Sequence, residues 1–113
     1  MVMLLICTQV KWVRFLQDAQ ENNMIKSFEL GPYTWNIKYL KRLKGLSGIC
    51  VFEDKAKVIK VKDTLPEDVK THVVYHELTH AILYVMEHPL AEDEEFVTRF
   101  SDLLYQFEKT KKQ

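Results

Sequence analysis

The run VVYHELTHAILY, residues 73–84, places His76, Glu77 and His80 in the pattern H-E-x-x-H. Residues four apart share one face of a helix, so on a helix both imidazoles can be aimed at one cation. Zinc accepts imidazole nitrogen and favours four ligands. Glu77 lies about 100° further round the helix. It is then next to such an ion without being one of its ligands, where its carboxylate can take a proton from water. Zinc lowers the pKa of bound water to about 7, so these five residues supply two ligands and a general base. The competing reading is a packing helix that holds two histidines. Val74, Leu78, Ala81, Ile82 and Val85 would bury the face opposite the histidines, while Val69, Val73 and Leu83 make the histidine side a partly buried cleft wall.

Catalytic zinc usually has three protein ligands and a water. His72 lies one turn before His76, but His72 and His80 are about 12 Å apart along a helix axis, too far to share one ion. His88 follows the helix without the glycine that H-E-x-x-H-x-x-G-x-x-H uses to turn back. The other source is a carboxylate from the run Glu92, Asp93, Glu94 and Glu95, if a tight turn over residues 88–91 returns the chain to the histidine helix.

The elements that must position these groups follow from pattern. In residues 10–22, Trp12, Phe15, Leu16 and Ala19 fall at helical spacing. Gly31-Pro32 marks a turn. Residues 33–37, 49–52 and 57–62 suit three strands, rich in aromatic and β-branched side chains. The lysines of the third strand read as protection of an exposed sheet edge. Thr64-Leu65-Pro66-Glu67 has the form of a capping box, opening a helix that runs to about Glu87 and stops before Pro89. A last helix runs from about Glu92 to Lys109, with Phe96, Phe100, Leu103 and Phe107 as its core stripe. The order is helix, small sheet, two helices: an α+β domain of residues 1–113 with its core in 33–108.

The 113 residues suit one domain, and 47% hydrophobic residues can fill a core. Sixteen basic and sixteen acidic residues give zero formal charge, which argues against a general nucleic-acid binder. The basic cluster Lys38, Lys41, Arg42 and Lys44 is the one feature that favours such a role. Cys7 and Cys50 are far apart and lack a C-x-x-C partner, so a thiolate site is not expected and a reducing compartment, the cytosol, is. The opening MVMLLIC is too short an apolar run to span a bilayer and has no basic stretch before it, as a signal peptide would. It reads as a buried part of the fold.

From Gly45 to Phe107 the chain resembles the small gluzincin-type metallopeptidases, especially the ImmA/IrrE-like and phage-encoded H-E-x-x-H proteins. The resemblance is carried by Gly48 before a strand, the strand at 57–62, His76-Glu77-Leu78-Thr79-His80-Ala81, and Glu94-Glu95-Phe96-Val97-Thr98-Arg99-Phe100 with Leu103-Leu104. It implies a minimal zincin-like fold and a zinc-dependent peptidase acting on a protein or peptide. It also implies a glutamate third ligand, matched by Glu94, with Glu95 as the alternative. Thr98 departs from the pattern, because an Asp or Asn often stands there to orient a ligand histidine. The strand 57–62 would be the edge to which an extended peptide adds. Tyr75, Tyr84, Tyr105 and His88 are candidates for stabilising an oxyanion. The alternative reading keeps the fold without the catalysis, as a phage-type module that docks on a host protein.

Overall fold

The computed structural model describes residues 24–112 in full and residues 3–7 as backbone. Among these residues the elements are β1 (Met3–Cys7), β2 (Ser27–Leu30), β3 (Tyr33–Leu40), β4 (Gly48–Glu53), β5 (Ala56–Lys62), α1 (Glu67–Val85) and α2 (Glu94–Thr110). The strands form one mixed five-stranded sheet in the order β1-β4-β5-β3-β2. This corrects the expected three-stranded sheet. The described chain opens on a strand, two further strands extend the sheet at both edges, and both helices lie in the C-terminal half. The helix expected over residues 10–22 lies outside the described residues.

β2 and β3 form a hairpin whose turn holds Gly31 at φ 57°, a left-handed backbone that glycine adopts without steric cost. β4 and β5 form a second hairpin, and β5 pairs in parallel with β3, Ile37 facing Ile59. Thus β5 is interior, with neighbours on both sides, and residues 57–62 offer no free edge to a peptide. Among the described residues the edges are β1 and β2. The lysines of β5 mark the solvent face of an interior strand, whose alternation looks the same as that of an edge. Lys60 lies opposite Lys38 on one side and Ile49 on the other.

The opposite sheet face carries Trp35, Ile37, Cys50, Ile59 and Val61, all buried, against Val73, Val74, Ala81, Leu83 and Tyr84 of α1. α1 begins after Pro66, which makes no side-chain cap, so the expected capping box does not form. Its histidine side is the buried one, while Leu78, Ile82 and Val85 are half-buried. α1 ends with Glu87 at φ 55°. The His88 N–H donates to the Leu83 carbonyl at 2.9 Å and the Glu87 N–H to that of Tyr84 at 2.9 Å, which is a Schellman ending with a glutamate where glycine is usual. Pro89 then prevents continuation.

α2 packs on α1 through Val97, Ser101 and Tyr105, all buried. The expected stripe is corrected: Phe100, Leu103 and Phe107 are exposed and Phe96 is half-buried. The face that meets α1 is built from smaller or hydroxyl-bearing side chains because it must approach a row of histidines. No helix among the described residues is long and apolar enough to cross a membrane.

Candidate metal centre

His76, His80 and Glu94 come together, with one ligand atom from each lying within 4.8 Å of the others. His76 Nε2 lies 3.1 Å from Glu94 Oε1, and His80 Nε2 lies 3.1 Å from Glu94 Oε2. One carboxylate therefore faces two imidazoles with both of its oxygens. This group could hold a metal ion. Both histidines are buried, and the Glu94 side chain is 45% exposed, so the cluster is open on the Glu94 side.

The histidines converge because α1 is regular through residues 76–80 and their rings meet edge to face, 5.0 Å apart. Glu94 arrives because the chain between the helices is short and internally bonded. The Ala91 N–H donates to His88 O at 3.1 Å and the Asp93 N–H to Leu90 O at 3.1 Å. Asp93 caps α2, accepting from the Phe96 N–H at 3.0 Å. Glu94 is then the first residue of the helix, where the backbone dipole favours a carboxylate.

His80 Nδ1 lies 2.8 Å from the Ala91 carbonyl. A carbonyl can only accept, so Nδ1 carries the proton and, in the neutral ring, Nε2 presents a lone pair to the cluster. That Nε2 is buried and makes no hydrogen bond; its approach to Glu94 is close but not aligned. A buried basic nitrogen left in this way suits a metal ligand. Burial lowers the His76 pKa to about 4, helped by the neighbouring His80 and His72. Burial also lowers that of His80, against the pull of the Ala91 carbonyl and Glu92. Both rings are thereby kept neutral, the state a metal requires. Burial and Asp93 raise the Glu94 pKa, so its ionised form is short of positive charge, which a cation would supply.

The four candidate acids separate cleanly. Glu94 faces the histidines. Glu95 points outward, its side chain 79% exposed and 3.7 Å from Arg99, so the alternative ligand is not part of the cluster. Asp93 is the cap, and Glu92 accepts from the Tyr84 hydroxyl at 3.3 Å. Glu77 is fully buried on the sheet side of α1. A Cβ on Gly48 would stand 3.1 Å from Glu77 Oε2 and 2.6 Å from Val73 Cγ1, so the glycine is what allows strand and helix to close over this carboxylate.

Two features were not read from the sequence. The group that orients His80 is the Ala91 backbone carbonyl, which no side-chain pattern can reveal; it takes the part looked for at Thr98. His72 Nε2 lies 2.6 Å from Asp102 Oδ1, and the ring stacks on Tyr105 at 4.6 Å. The eight-residue spacings of His72 to His80 and Glu94 to Asp102 were the available signal. Three oxyanion candidates have other partners. Tyr84 is bonded to Glu92, the Tyr105 hydroxyl donates to Asp68 O at 3.3 Å, and His88 Nδ1 accepts from the Leu90 N–H at 3.0 Å.

No protein-family model matches the chain, and neither the curated proteins nor the solved structures contain a significant match to it.

Proposed function

We propose that this protein is a zinc-dependent peptidase of the gluzincin type, with His76, His80 and Glu94 holding the metal and Glu77 acting as general base. The observation that carries the reading is the convergence of His76, His80 and Glu94, with an unpartnered His80 Nε2 facing into the cluster. Two imidazoles and a carboxylate suit zinc. Bound zinc supplies Lewis-acid chemistry, polarising a peptide carbonyl and acidifying water. The chain's own residues do the rest. The Ala91 carbonyl fixes the His80 tautomer, and the Glu77 carboxylate takes a proton from the attacking water and passes it to the leaving amine.

The test is metal content by mass spectrometry together with peptide hydrolysis. The wild type is expected to hold about one zinc per chain, and His80→Ala and Glu94→Ala to lose it. Glu77→Gln is expected to keep the metal and lose at least a hundredfold in hydrolysis. A Glu77→Gln protein that cleaves as fast as wild type would remove Glu77 from the mechanism.

A second reading, a binding module without catalysis, is favoured by one observation: Glu77 is wholly buried beneath Gly48, whereas a general base must meet water. Zinc-loaded wild type with no hydrolysis of any peptide in a diverse library would select it.

A further inference from the structure

The segment that follows α1 borders a second feature. A cavity of about 570 Å³ opens between the β4–β5 hairpin and residues 84–92. It adjoins the metal centre through Ala91, which lines the cavity and holds His80 Nδ1. Its walls are aromatic. Tyr33 meets Phe52 edge to face at 5.9 Å, and Phe52 stacks on Tyr84 at 5.4 Å. Its rim is acidic, with Glu53, Asp54, Glu87 and Glu92 all contributing.

One cation already uses these walls. The Lys57 ammonium sits 4.9 Å from the Tyr33 ring centre and 5.1 Å from that of Phe52. It also donates to the carbonyls of Glu53 and Asp54. Faces of aromatic rings attract cations electrostatically, and the carbonyls complete a seat for an ammonium or guanidinium. Among the described lining residues Glu53, Glu87 and Glu92 alone outnumber Lys57, so an anion would be repelled and a further cation welcomed. Lys57 is tethered on a flexible stem, and of its two carbonyl partners that of Asp54 is exposed and that of Glu53 half-buried, which leaves it a path to solvent.

We infer that this cavity is a subsite for a basic side chain, arginine or lysine, of the polypeptide that the metal centre acts on, with Lys57 as a resident cation that the guest displaces. The inference deepens the peptidase reading and rests on it for the ligand being a polypeptide. Arginine is the better guest, because a planar guanidinium stacks on rings while donating in its plane.

The test uses the full chain and Nα-acetyl-arginine N-methylamide as probe, with the uncharged citrulline counterpart as control, titrated by NMR. The arginine probe is expected to bind at least tenfold tighter than citrulline, with shifts at Tyr33, Phe52 and Tyr84. Lys57→Met is expected to tighten arginine binding at least tenfold, and Glu53→Gln with Glu87→Gln to weaken it by as much. Lys57→Gln gives the same reading if Lys57→Met does not fold. Equal binding of arginine and citrulline, or no saturable binding to either Lys57 variant, would overturn the inference. So would an active enzyme indifferent to basic residues in its peptides. Failure of the peptidase reading is separately visible, as absence of zinc or of hydrolysis while arginine binding persists.

Discussion

At the scale of single residues, the chemistry is set by what surrounds each group rather than by the group alone. His76 and His80 are kept neutral by burial, which leaves each ring a basic nitrogen able to bind a cation. Burial and the nearby Glu77 push the Cys50 thiol pKa well up, so this cysteine is a protonated packing residue and not a reactive one. Gly48 matters for space, not for backbone freedom. Its missing Cβ is where Val73 Cγ1 and the Glu77 carboxylate lie, and Val73 is itself fully buried with nowhere to retreat. Gly48→Ala should therefore cost about 1–3 kcal/mol, the usual range for overpacking, read as a lower urea midpoint. It should also reduce hydrolysis several-fold while zinc content is kept, because the added methyl group displaces Glu77 and not a ligand. Unchanged stability would mean that strand and helix are not as close as 2.6 Å implies.

At the scale of elements, α1 was the most legible. H-E-x-x-H, the Pro66 start and the Pro89 stop place it within two residues of Glu67–Val85. Glu94 as the expected third ligand rests on resemblance, since four adjacent acids look alike until a turn assigns their directions, and in the structure it is Glu94 that faces the histidines. The contact face of α2 was missed because apolar periodicity selected Phe100, Leu103 and Phe107, whereas tertiary packing buried Val97, Ser101 and Tyr105. The sheet was undercounted because Ser27–Leu30 is short and Met3–Cys7 carries no alternation. The α1–α2 contact has a measurable signature in Tyr105. Its phenol is 2% exposed and donates to Asp68 O. Burial, with Asp68 and Tyr75, raises its pKa to about 12. The folded state then holds this proton where the unfolded chain, with a phenol pKa near 10, releases it. Its contribution is intact below pH 10 and is lost as pH rises towards 12. Between pH 9.5 and 11.5 the wild type should lose roughly 2 kcal/mol more stability than Tyr105→Phe, measured by urea unfolding at each pH. Parallel curves would show that the phenol ionises freely and that the helices part before the fold does.

At the scale of the whole molecule, the candidate metal centre is also a joint. Its candidate ligands come from α1 and from the first residue of α2, and among the described residues α2 packs chiefly on α1. Beside the candidate ligands the α1–α2 interface joins two polar pairs, His72 with Asp102 and Tyr105 with Asp68, to the buried Val97. A metal bound across it should therefore stabilise the domain beyond its local contacts. A ligand that binds only the folded state adds about 2.7 kcal/mol at a hundred times its Kd, and a domain of this size gains several degrees in Tm per kcal/mol. Zinc in that excess should raise the wild-type Tm by about 10 °C. Glu94→Ala, which cuts the link from α2, should gain little, and Glu77→Gln should gain as much as wild type because it is not a ligand. The Glu77→Gln result is the informative one. If that variant loses the zinc-dependent rise, Glu77 belongs to the ligand set and the residue assigned to move the proton is instead holding the ion.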